Sequence, residues 1–126
     1  MIVNLTPHAM HIYPPGTPDR IDPTTVPASG IICIPPSEHY PPVRLGHIIT
    51  GTATVHDGIP IEDVIFGVYS RKVNWLPEPL PGAFFVVPLV VGLAASDRND
   101  LLVPHDDVRD MSGCIIGSRK LARPAR

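Results

Sequence analysis

LVPHDDVRDMSGCIIGSRKL, Leu102 to Leu121, is the stretch on which the fold turns. It holds one histidine, three aspartates, two arginines and one cysteine between apolar flanks. Val108 and Arg109 can pair with Cys114 to Ser118 across the turn DMSG. Gly113 suits the end of that turn, since a residue without Cβ adopts a positive φ at no steric cost. Asp110 can accept a hydrogen bond from the backbone two residues on, at Ser112. The stretch predicts a hairpin. It also admits a second reading, as a polar chemical site.

Working back from this hairpin, Ala83 to Val87 reads as a core strand, and Pro88 as the first turn of a short helix through Ala95. That helix is apolar nearly all round, which predicts a buried element. NWLPEPLPG, Asn74 to Gly82, is stiffened by its prolines. Val64 to Tyr69 reads as a strand. VRLGHIITGTATV, Val43 to Val55, alternates with period two and is the clearest strand signal of all. Its Gly46 or Gly51 predicts a bulge or a close backbone approach. Asp57-Gly58 is a hairpin turn pair. Ile31 to Ile34, Ala9 to Tyr13 and Ile2 to Leu5 complete the strands. Between them PPGTPDRIDPTTVPASG, Pro14 to Gly30, carries five prolines and reads as a long loop.

The composition agrees. A chain of 126 residues suits one domain, 1–126, able to bury a moderate core. Its 17 prolines argue against long helices. The expected fold is mainly β, a small α+β domain, with an antiparallel sheet or incomplete barrel and one short buried helix. A net charge of −2 gives no field that attracts nucleic acid. Only a weak contact through the basic C-terminal residues Arg119, Lys120, Arg123 and Arg126 stays open, and such a tail is ordinarily solvated. The start MIVNLTPHAMHIY is not a signal peptide, and the twelve apolar residues from Phe84 to Ala95 are too few to span a bilayer. A cytoplasmic protein without a membrane partner is expected.

NLTPH at Asn4 to His8, LPEPLPG at Leu76 to Gly82, DRNDLLVP at Asp97 to Pro104 and VRDMSGCIIGSRKL at Val108 to Leu121 stand in a suggestive order. The chain resembles a group of small uncharacterised phage, prophage and bacterial proteins with an NLTPH-like start and an RDxxGxIxG-like end. The resemblance covers both ends and the middle and leaves Pro14 to Pro42 largely out. Pro88 departs from the group, where serine more often follows a YIV-like strand. The resemblance implies a phage-associated or bacterial accessory protein and carries no activity with it.

His8, His105 and Asp107 are the metal-ligand candidates, of a type that suits zinc or iron. His105, Asp107, Arg109 and Asp110 are the catalytic candidates, with His105 as general base, Asp107 orienting it or holding a metal, Arg109 facing an anion and Asp110 holding Arg109. These make the alternative reading, a metal- or anion-dependent hydrolase or small-ligand-binding protein. Cys33 and Cys114 are flanked by apolar residues, as buried structural cysteines are. No phosphate-binding loop occurs, and no cofactor is expected. Trp75, Leu76 and Leu80 lie on the proline-stiffened segment and are the interface candidates, since rigid aromatics anchor contacts. The leading expectation is therefore an interaction module with a protein partner. Self-association is open as well, through strand edges around Val43 to Val55.

Overall fold

The computed structural model describes residues 1–51, 54–65 and 72–124. The expected strand positions Thr52, Ala53 and Phe66 to Tyr69, and the tail position Arg126, lie outside the described residues.

The fold is mainly β with one short helix, as the alternation and the prolines predict. Six strands form the main sheet: β1 (Ile2–Asn4), β2 (Met10–Ile12), β3 (Ile32–Ile34), β10 (Phe84–Val86), β11 (Leu101–Arg109) and β12 (Ile115–Ala122). Their spatial order is β1-β10-β11-β12-β2-β3. The β11–β12 hairpin is antiparallel, as its sequence requires. β2–β3 is also antiparallel, whereas β1–β10, β10–β11 and β12–β2 are parallel. A parallel bridge between Asn4 and Pro36 brings the β3 edge back to β1. The Ser37 amide donates to the Asn4 carbonyl there, at 2.9 Å. Of the two predicted sheet forms, the incomplete barrel is the one observed.

Its main core gathers Leu5, Val43, Phe85, Val87, Val91, Leu101 and Val103. Tyr40 meets Phe85 edge-on at 6.1 Å. A second cluster joins Tyr13, Ile21 and Val108. Ile21 belongs to the proline-rich loop, so that segment is a covering layer of the sheet. Two 3-10 turns, Pro23–Thr25 and Ala28–Gly30, give it form, and Asp22 caps the first.

The helix α1 (Leu89–Ala94) follows Pro88 as predicted, but only one side of it is buried. Val91, Gly92 and Ala94 face inward, while Leu89, Val90 and Leu93 are 55%, 48% and 47% exposed. An all-round apolar pattern predicts burial on every side. Here six residues lie against one layer, and none of the described residues covers the outer side.

The strand expected over Val43 to Val55 is divided into β4 (Arg44–Leu45), β5 (Ile48–Ile49) and β6 (Thr54–His56). They pair antiparallel with β9 (Val73–Asn74), β8 (Val64–Ile65) and β7 (Ile59–Ile61) respectively. These nested pairs are separate from the six-stranded sheet, and their described residues form a two-stranded ribbon lying between Arg44 and Asn74 in sequence. Close approach explains its glycines. A Cβ on Gly46 would stand 2.7 Å from the Lys72 side chain, and one on Gly51 2.7 Å from the Asp63 carboxylate.

Candidate interaction surface

The ribbon tip is set by Asp57 and Gly58, with φ of 52° and 78°. Two successive positive φ values suit the right-handed twist of a tight hairpin. Behind the tip, Ile59 pairs with His56 and Ile61 with Thr54 on one face, while Val55 and Pro60 share the other. Nearer the root, Ile48 opposes Ile65 on one face and Ile49 opposes Val64 on the other. Apolar side chains therefore occupy both faces. Ile48, Ile49, Val55, Ile59, Ile61 and Ile65 are between 39% and 65% exposed. The root of the ribbon packs on α1 through β4, whereas β5–β8 and β6–β7 make their substantial contacts within their own pairs. An isolated two-stranded ribbon is marginal in water. Covering the remaining surface of each isoleucine would contribute about 1 kcal/mol.

Trp75 stands immediately beyond β9, with φ of 66°. A bulky residue in that region carries backbone strain of about 1–3 kcal/mol. The indole is 58% exposed, so it does not close the core. The other two interface candidates separate. Leu76 is half-buried and packs on the main core, because the chain turns inward after Trp75. Leu80 is exposed and lines an open groove of about 550 Å³ with Pro79, Pro81, Phe84 and Arg123. The Arg123 guanidinium lies 5.7 Å from the centre of the Phe84 ring.

The polar hairpin is assembled chiefly by its own turn. Asp110 Oδ1 accepts from the Ser112 amide at 2.9 Å, the Ser112 hydroxyl at 2.7 Å and the Cys114 amide at 3.0 Å. These bonds, the Ser112 side chain first, hold its carboxyl below the usual value. Gly113 has φ of 91°, as the turn demands. Arg109 donates to the Gly113 carbonyl at 2.9 Å. The expected Asp110 hold on Arg109 is thus replaced by separate bonds of each within the turn, three accepted by Asp110 and one donated by Arg109. The short loop lets each side chain reach backbone more easily than the other side chain.

His105 and Asp107 line an open, mostly apolar groove of about 600 Å³ with Leu89, Leu93, Val103 and Ile115. His8 is exposed in the turn between β1 and β2 and does not line that groove. Among the described residues, no three His, Cys, Asp or Glu side chains cluster as metal ligands. Cys33 and Cys114 are both exposed, contrary to the expectation from their apolar neighbours, because β3 is the last strand of the sheet and Cys114 sits in the turn.

NLTPH acts through the Asn4 side chain and the His8 backbone. Asn4 is buried, and its Nδ2 donates to the carbonyls of His8 and Ile34 at 2.9 and 3.0 Å. Its Oδ1 accepts from the Thr6 amide and hydroxyl at 2.9 and 2.6 Å. Asn4 so ties β1, the following turn and β3 together.

The sequence pattern places Arg119 in a solvated basic tail, yet it sits within β12 with its side chain 11% exposed. It donates to the Thr17 carbonyl at 2.6 Å, to Asp19, and to Asp106 at 2.7 Å. Asp19 and Asp106 keep it firmly charged, the Asp19 hydrogen bond contributing most.

No protein-family model, curated protein or solved structure matches this chain. No helix among the described residues is long and apolar enough to cross a membrane.

Proposed function

We propose that this chain is an interaction module that works by docking to protein through its ribbon, with Trp75 at the root. One observation carries the reading: a ribbon with exposed apolar side chains on both faces, whose outer strands make their substantial contacts, among the described residues, within their own pairs. Large exposed apolar patches on soluble chains mark contact sites. The strained, outward Trp75 adds a rigid anchor next to it. The resemblance at Asn4–His8 and Val108–Leu121 supports a phage-associated or bacterial accessory role, and the cytoplasm is the proposed compartment.

Affinity capture from a bacterial lysate tests this. The wild-type chain is compared with Trp75→Ala, with the pair Ile59→Ser and Ile61→Ser, and with His105→Ala. Partners are expected to be lost by the first two and kept by the third, with unchanged circular dichroism. If Trp75→Ala unfolds the chain, its anchor role is wrong. Loss confined to His105→Ala would move the function to the groove.

That groove sustains the alternative reading as a ligand-binding protein or hydrolase. His105 and Asp107 share it, while Arg109 and Asp110 are engaged in the turn. The alternative therefore keeps half of its catalytic set in one place.

A further inference from the structure

We infer that the ribbon's partner is a second copy of this chain, packed antiparallel about a two-fold axis so that each tip meets the other's root. The inference rests on the interaction-module reading and deepens it by naming the occupant.

Charge gives the direction. The described root carries Arg44 and Lys72, and the outer half carries Asp57, Glu62 and Asp63. Arg44, Lys72, Asp57, Glu62 and Asp63 are all exposed. A parallel arrangement would place acid on acid and base on base. A two-fold axis across the middle instead sets each acidic outer half against a basic root, and opposite charges facing one another favour that register. A two-fold contact must be self-complementary, because the same patch serves both copies. Here the middle of the patch is the Ile48–Ile65 and Ile49–Val64 pairs, flanked by charge of opposite sign on either side.

Sequence chemistry also favours faces over one of the edges. Pro60 in β7 has no N–H to offer to an added strand, which blunts that edge. The isoleucines stand on the faces, where a second ribbon can cover them. A second open apolar surface, Leu89 and Leu93 beside the groove, is a different patch from the ribbon. A ribbon docking there without reciprocation would be a heterologous contact, which builds rings or open chains, and a reciprocal exchange would need Leu93 at the contact.

Sedimentation equilibrium on the purified chain, across concentration and at low and high salt, is the test. The expected species has twice the 13.6 kDa chain mass. Ile59→Ser with Ile61→Ser should return it to monomer. Arg44→Glu alone should weaken association on the order of tenfold at low salt. Adding Asp63→Arg to Arg44→Glu should restore it, since Asp63 lies on the same face as Ile61 and Ile65 and the swapped charges again meet. Leu93→Ser should leave the dimer intact. Circular dichroism checks that each variant is folded, and the Arg44→Glu change lies on exposed surface where folding is not at stake. A wild-type monomer at every concentration overturns the inference, while lysate capture still decides the module reading. A dimer insensitive to both the charge reversal and its swap overturns the antiparallel alignment. Loss of association in Leu93→Ser overturns the ribbon–ribbon contact.

Discussion

Arg119 and Asp106 meet at 2.7 Å where the proline-rich loop lands on the barrel. Asp106 has φ of 67°, and Arg119 uses its remaining donors on the Thr17 carbonyl and Asp19. One side chain therefore joins β11, β12 and a loop about one hundred residues away in sequence. Arg119→Ala should release Pro14 to Gly30, and limited proteolysis should cut there first. Arg119→Lys should restore little, because an ammonium cannot serve these separated acceptors with a rigid fork. Equal protease resistance in Arg119→Ala and wild type would show that Ile21 and the backbone pairing with Arg109 hold the loop without it.

Asn4→Ala should be among the most damaging single changes in the chain. It removes two donations to carbonyls and an acceptor for Thr6 from a buried position. Leaving such groups unpaired costs about 1–3 kcal/mol for each that water fails to reach. A total loss of about 3 kcal/mol is expected in urea unfolding. Asn4→Asp should fall as far, because an ionised carboxylate cannot donate to the His8 and Ile34 carbonyls. His8→Ala should be nearly silent, since the motif uses the His8 backbone.

The contrast between Asn4 and His8 shows what the sequence could and could not reveal. Local signals were legible: the turn at Asp110 to Gly113, the Asp57-Gly58 tip, the start of α1 at Pro88. Each depends on residues close in the chain. The period-two pattern of Val43 to Val55 gave the strand type but not its position outside the barrel. The missed clue was apolar residues on both parities, Ile48 with Ile49 and Val64 with Ile65. A strand with one face on a core needs only one apolar parity. The parallel pairings of β1, β10 and β11, and the Arg119 lock, join residues far apart, and no spacing rule in one sequence encodes them. Charged residues crowd the polar hairpin, and two of them, Arg109 and Asp110, satisfy backbone groups of its own turn.

Gly117 is held by contact. A Cβ there would lie 2.5 Å from the His11 carbonyl and 2.6 Å from the Tyr13 ring. Gly117→Ala must push β2 away from β12, where Ser118 pairs with Ile12. The expected cost is about 1–3 kcal/mol, as for overpacking elsewhere. Tyr13→Leu removes part of the obstacle but none of the backbone one. Adding it to Gly117→Ala should therefore recover only part of the loss in thermal unfolding, and full recovery would mean the ring alone sets the limit.

Acid should weaken the fold through Asp100 and Asp110. Arg98 donates to both carboxylate oxygens of Asp100, at 2.8 and 2.7 Å, and also to the Pro77 carbonyl at 3.0 Å. The Arg98 hydrogen bonds hold the Asp100 carboxyl below its ordinary value of 3.8, against the upward push of burial. Asp110 is lowered by its bonds to Ser112 and Cys114. A folded pKa below the unfolded one means that the unfolded chain binds the proton first. The contribution of each group is therefore fully present above its ordinary value. It declines as pH falls from there through the lowered folded value. Urea unfolding between pH 7 and pH 2.5 should show this decline in the wild type. Asp100→Asn should be less stable at neutral pH and show a flatter acid limb, because its protonation no longer differs between the two states. Asp110→Asn should flatten it independently, as the two sites share no partner. An acid limb as steep in the double variant as in the wild type would assign the acid sensitivity to other carboxylates.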